Sequence, residues 1–193
     1  AKKKLNIPLD KKVIFAMGGS QGAKTINSAM VDIIKTLSED MNAFVILQTG
    51  KKKYNDTVID LETKYPEFKN NNNLMICPYF DEMVYPLKAS DLVIARAGSL
   101  SLTEIIQCHL ASILIPYPYA AQDHQRKNAK EMCEKGVALY LEDSECNGEN
   151  LLNKIKEIMN NKEKLSDMQA KAKELAKANP TEEIVKQLKS TIK

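Results

Sequence analysis

The sequence lacks almost everything that would staple, anchor or metallate a chain. Its four cysteines, Cys77, Cys108, Cys133 and Cys146, lie far apart and form no C-x-x-C pair. With two histidines, His109 and His124, there is no zinc-type cluster either, and a reduced cytosolic interior is the expected setting. No apolar run approaches the ~18 residues of a membrane span, and no signal-peptide pattern opens the chain. A net charge of +3 is too small to argue for nucleic acid. No Ser-His-Asp constellation or pair of clustered carboxylates recommends hydrolysis. No D-x-D pattern occurs, so a diphosphate would be held by backbone dipoles and not through a carboxylate-bound metal.

What is present is an ordinary globular composition, 44% hydrophobic and 27% charged over 193 residues. That is enough chain for one large domain with a substantial core. Residues 1–12 are basic and poorly patterned and read as a linker or cut end. Continuous apolar runs at 13–17, 43–47, 74–77, 91–95, 112–116 and 137–141 read as strands buried on both faces. Between them lie helical spacings at 23–37, 51–65, 82–88, 101–108 and 122–135, the last ended by Gly136 as a C′ residue. A Lys-rich helical stretch follows from Asn150, broken at Asn179-Pro180 before a last helix over 181–193. Six alternations with short connections predict an α/β fold, a six-stranded parallel sheet with helices on both faces, occupying 13–178. Such sheets bind ligands at the carboxyl ends of their strands, beside the reversal of strand order.

Three stretches at predicted strand ends carry candidate chemistry. Gly18-Gly-Ser-Gln-Gly-Ala-Lys-Thr25 comes near a P-loop, but Ala23 stands where that motif needs glycine, and no G-x-G-x-x-G fingerprint occurs. The alternative is a glycine-rich turn leading into a helix. In the second stretch, residues 91–104, an apolar run ends in a small-residue turn at Gly98 that opens onto a helix, a geometry that suits phosphate. Here Ser101 and Glu104 have the S-x-x-E spacing of a capping box, which spacing alone favours; a ribose-binding carboxylate is the other account. The third stretch, Gln122-Asp-His-Gln-Arg-Lys-Asn128, places His124, Gln125 and Asn128 in one helical turn, where amides suit sugar hydroxyls. An isolated histidine near a helix start is more often exposed polar surface, and Asp123 there favours the helix dipole.

Taken together, Gly-Gly-Ser-Gln-Gly-Ala at 18–23, Arg-Ala-Gly-Ser-Leu-Ser-Leu-Thr-Glu at 96–104 and Ile-Pro-Tyr-Pro-Tyr-Ala-Ala-Gln-Asp-His-Gln-Arg-Lys-Asn-Ala at 115–129 resemble the MurG family of bacterial glycosyltransferases. The resemblance covers nearly the whole chain but only the C-terminal half of those enzymes. It implies a Rossmann-like domain, one half of a GT-B architecture, that binds UDP-N-acetylglucosamine (UDP-GlcNAc). By the same resemblance Gly19, Ser20 and Gln21 lie near the diphosphate, while Phe80 meets uracil through its backbone with Met83 beside it. Gly98, Ser99, Leu100, Ser101, Leu102 and Thr103 cradle the diphosphate, Glu104 takes the ribose, and His124 and Gln125 contact the sugar. The acceptor site for the undecaprenyl-diphosphate lipid I, the base and the contact with the cytoplasmic face of the inner membrane belong to an N-terminal domain absent from these residues. Residues 179–193 are expected to pack back toward that domain. No cofactor or metal is implied, and without the other domain no transfer is expected. Diacylglycerol galactosyltransferases, the soluble subunit of a dolichol-linked N-acetylglucosamine transferase, a sugar-nucleotide epimerase and a non-catalytic binding subunit remain the alternatives.

Overall fold

The computed structural model describes residues 1–177. Six parallel strands, β1 (Val13–Met17), β2 (Phe44–Gln48), β3 (Leu74–Cys77), β4 (Leu92–Ala95), β5 (Ala111–Leu114) and β6 (Ala138–Tyr140), form one sheet in the order β3-β2-β1-β4-β5-β6. The strand order reverses between β1 and β4, whose registers pair Phe15 with Val93 and Met17 with Ala95. The expected doubly covered parallel sheet is therefore present. Every residue of β1, β2, β4 and β5 is buried, which is why these strands read as unbroken apolar runs.

Helices α1 (Lys24–Lys35), α2 (Tyr54–Lys64), α3 (Val84–Ala89), α4 (Ser99–Gln107), α5 (His124–Glu134), α6 (Gly148–Met159) and α7 (Lys162–Lys177) complete the described fold. One face of the sheet carries α1, α2 and α6, packed through Ile26, Met30, Ile34, Leu61, Leu151 and Ile155. The other carries α3, α4 and α5 through Leu87, Leu102, Ile105, Ala129 and Met132. On α1 the apolar spacing puts Ile26, Met30 and Ile34 on one buried stripe. Each such side chain contributes about 1.5–3 kcal/mol, and Ile34→Ala would cost about 2–5 kcal/mol through the cavity it leaves. Helix α7 contributes Leu165 and Met168 to the first cluster and Ala172 to the second, so it joins the two faces.

Asp91 ties down the amino ends of the strands at the reversal. Its carboxylate accepts from Val13 N and Lys12 Nζ, both at 2.9 Å, and its carbonyl accepts from Gln169 Nε2 at 3.2 Å. Gly136 ends α5 as expected: at φ 69° its N–H bonds Cys133 O at 2.9 Å, and Val137 N–H bonds Met132 O at 3.1 Å. That pair of bonds is a Schellman stop.

Two expectations need correction. Residues 1–12, read as a linker or cut end, pack onto the domain through their first seven residues. A short 3-10 turn at Lys2–Leu5 is followed by Ile7, 3% exposed in the second core cluster, and Lys4 sits 3.8 Å over the Tyr85 ring. Basic composition hid one apolar anchor. The second correction is the start of α4, at Ser99 and not Ser101. The helix expected over 181–193 and the break at Asn179-Pro180 lie outside the described residues. Among the described residues no helix is long and apolar enough to cross a membrane.

Candidate functional site

Strands β1 and β4 lie side by side, so the turns that leave them meet at the carboxyl edge of the sheet. Each turn opens a helix whose start has no side-chain cap: Ala23 precedes α1 and Gly98 precedes α4. The first N–H groups of both helices therefore lack an intrahelical or capping partner, and both helix dipoles present their positive ends. Ala23, Lys24 and Thr25 of one start and Gly98 and Ser101 of the other border a single cavity of about 550 Å³. That is ample room for a small ligand.

The capping box does not form. Gly98 is the extended residue before the helix, at φ −72° and ψ 144°, which makes Ser101 the third helical residue and puts Glu104 in the second turn. Leu102 and Ile105 bury in the core and set which face of α4 turns inward. The Glu104 carboxylate makes no hydrogen bond or ion pair among the described residues, and partial burial raises its pKa above the ordinary carboxylate value. A carboxylate held this way has its acceptor capacity to spare.

The expected site residues do not all face the cavity. Gly19, Gly98, Ser101 and Gln125 border the cavity, and Ser20 and Gln21 sit exposed in the turn beside it, where Ser20 O accepts from Lys51 N at 3.3 Å. Ser99, Leu100 and Thr103 are exposed on the first turns of α4, with Thr103 Oγ1 donating back to Ser99 O at 3.0 Å. Leu102 serves the helix itself: its side chain is buried and its N–H bonds Gly98 O at 3.0 Å. Phe80 and Met83 stand apart from the cavity but on the α4 side of the sheet, packed against the second core cluster. The Phe80 ring meets Phe15 edge-on at 6.0 Å, and its N–H donates to the buried Gln48 Oε1 at 3.0 Å.

The start of α5 is built from side chains. Gln122 and Asp123 both take left-handed backbone, at φ 52° and 56°, a conformation costing about 1–3 kcal/mol for such residues. Arg126 holds the turn by bonding Asp123 at 2.9 Å and Glu142 at 3.0 Å. Tyr140 donates to Glu142 as well, which lowers the Glu142 pKa; burial first, then that bond, pushes the Tyr140 hydroxyl up to about 12. His124 then begins α5, exposed, with Nδ1 2.6 Å from Ala121 O. A carbonyl can only accept, so Nδ1 carries the proton of that bond, and in the neutral ring Nε2 is left as an acceptor. Gln125 Oε1 accepts from Tyr117 N at 3.0 Å. Asn128, grouped above with the sugar-binding amides, instead donates to Ala97 O at 3.1 Å and so braces the turn before α4.

Several cavity residues carried no role in the sequence. Arg96 stood there only as one letter of a motif, yet its guanidinium bonds Ile115 O and Pro116 O at 3.1 Å and Asp143 at 2.5 Å. Tyr117 and Tyr119, in edge contact at 5.6 Å, stand at the mouth, and Lys24, Thr25 and Lys53 line the side toward α1. Lys24 and Thr25 had a signal, since they follow the glycine turn directly into a helix. Asp143 had none.

Residues 13–188 match the family model for the glycosyltransferase family 28 C-terminal domain. A UDP-N-acetylglucosamine--N-acetylmuramyl-(pentapeptide) pyrophosphoryl-undecaprenol N-acetylglucosamine transferase of Desulforamulus reducens is 37% identical over 177 residues, 92% of this chain and 48% of that protein. Its namesake in Bacillus cytotoxicus is 38% identical over 190 residues, 97% of this chain and 51% of that one. The crystal structure of Acinetobacter baumannii MurG superposes with a TM-score of 0.76 at 28% identity, across 94% of this chain and 52% of that chain. The chain spans about half the length of the curated relatives it matches.

Proposed function

The chain belongs to the glycosyltransferase family 28 C-terminal domain family, and on that footing we propose that it is the donor half of an inverting N-acetylglucosaminyltransferase. Its donor is UDP-GlcNAc. Its acceptor is the undecaprenyl-diphosphate-linked muramyl-pentapeptide lipid, held by a second domain at the cytoplasmic face of the membrane. The observation that carries this reading is the pair of uncapped helix starts, α1 and α4, on one cavity of about 550 Å³ at the reversal of strand order. Two helix dipoles facing one cavity favour a group with two charges, as a diphosphate has.

The chemistry follows from where charge develops. As an acceptor hydroxyl attacks the anomeric carbon, the glycosidic bond to UDP breaks and its electron pair moves onto the diphosphate. Fixed N–H groups at the start of α4, with Arg96 close by, stabilise that charge more in the transition state than in the ground state. Glu104 accepts from the ribose hydroxyls, and His124 and Gln125 meet the sugar. No metal is assigned to the site. The relatives' names support the sugar and the lipid, and the second domain supplies the acceptor and the base.

Calorimetric titration of this chain with UDP-GlcNAc, UDP-galactose and UDP tests the reading. UDP and UDP-GlcNAc are expected to bind, and mixing the chain with lipid acceptor is expected to give no disaccharide. Binding of UDP-galactose in preference to UDP-GlcNAc would sink the proposed donor, and disaccharide formation by this chain alone would sink its assignment as a half-site.

A further inference from the structure

Within the cavity one part-buried charge is already answered. The Arg96 side chain is 13% exposed and the Asp143 side chain 17%, and they pair at 2.5 Å. Arg96 directs three bonds, to Asp143, Ile115 O and Pro116 O, all from Nη1. A guanidinium has five N–H donors, and Nε and Nη2 make no hydrogen bond among the described residues. The Tyr117 ring lies 5.6 Å from the guanidinium carbon. Asp143 is held from the far side by Thr25 Oγ1 at 3.3 Å. Thr25, Arg96, Tyr117 and Asp143 all border the cavity, so a phosphate entering it meets a cation and an anion together.

From this placement, and resting on the nucleotide reading above, we propose that Asp143 is a positioning residue that competes with the ligand's phosphate for Arg96 and limits how tightly the nucleotide is held. Charge balance is the reason. The pair lets Arg96 be buried where the β4, β5 and β6 turns meet, a burial that an unpaired cation would oppose. A diphosphate brings its own negative charge to the same cation, and the part-buried Asp143 carboxylate then repels it. Asp143 thus keeps Arg96 oriented while weakening its hold on a departing diphosphate.

The test uses the full chain with Asp143→Asn and, as a second neutral replacement, Asp143→Ser, folding being checked by circular dichroism. UDP, inorganic pyrophosphate and uridine are titrated against each. Both variants are expected to melt at lower temperature than the native chain without ligand, yet to bind UDP and pyrophosphate more tightly, by on the order of tenfold. Uridine, which has no phosphate, is expected to bind all three proteins alike. A merely structural tether would weaken every ligand or none. No gain for either phosphate ligand, or an equal gain for uridine, overturns the inference. If pyrophosphate tightens as expected while UDP binds no better than pyrophosphate in any of the proteins, the competition stands and the nucleotide reading falls instead.

Discussion

The turns after β1 and β4 both run from a buried strand through glycine into an uncapped helix, yet their glycines serve different ends. In the first, Gly18 and Gly22 make room for the chain itself. A Cβ on Gly22 would fall 1.9 Å from Thr49 O, and one on Gly50, in the neighbouring turn at φ 83°, would fall 2.2 Å from Gly22 N. In the second, Gly98 has ordinary φ of −72°, and its added Cβ would meet only Gln125 Nε2 at 4.0 Å. Nothing in the fold demands glycine there. The space it leaves belongs to the cavity, where a ligand can approach the backbone closely.

The comparison breaks most sharply at Gly50. Gly50→Ala combines left-handed backbone with a backbone clash, and it is expected to lower unfolding free energy by about 4 kcal/mol in urea titration. A loss below about 1 kcal/mol would mean the first turn is not packed as described. Gly98→Ala is the counterpart. It should cost no more than about 1 kcal/mol of stability, the difference between glycine and alanine before a helix, while costing roughly 3 kcal/mol of UDP affinity by crowding the proposed diphosphate. Unchanged affinity would remove the ligand from this turn.

A smaller effect is expected one turn along α4. Glu104→Gln should cost about 2 kcal/mol of UDP affinity, the range of a hydrogen bond to a charged group, without lowering the melting temperature. Its pH dependence has a definite sign. Burial raises the Glu104 pKa in the fold, so the stability this group contributes is fully present below its unfolded pKa and is lost as pH rises through the raised folded value. The proposed ribose contact needs the ionised carboxylate and so runs the other way: UDP affinity of the native chain should fall as pH drops through the raised pKa, and that of the glutamine variant should not. A parallel pH profile in both proteins would take Glu104 out of the site. The smallest effect is at His124, where alanine should cost about 1 kcal/mol with UDP-GlcNAc and nothing with UDP, because the proposed donor pose brings only the sugar to the start of α5. Equal losses with both ligands would place His124 against the nucleotide.

Much of this could be read from the chain because it is local. A strand buried on both faces shows as an apolar run such as Val13–Met17, and a helix stop shows as Gly136. That a helix opens near residues 98–101 was legible, but its register was not. S-x-x-E spacing looks the same at a cap and inside a helix, and burial of Leu102 and Ile105 moved the start two residues earlier. Ile7 was missed because one apolar residue among lysines has no period.

By itself, then, the sequence determined the six strands, the helices between them and the three turns where chemistry could sit, since dihedral preference and hydrophobic period act over a few neighbouring residues. Only the tertiary structure decided that β1 lies beside β4, because strand pairing depends on burial and crossover geometry summed over the whole sheet. That pairing is what puts two helix starts on one cavity. The adjacency of β4, β5 and β6 likewise brings Arg96 to Asp143, 47 residues away, a contact for which no local pattern exists.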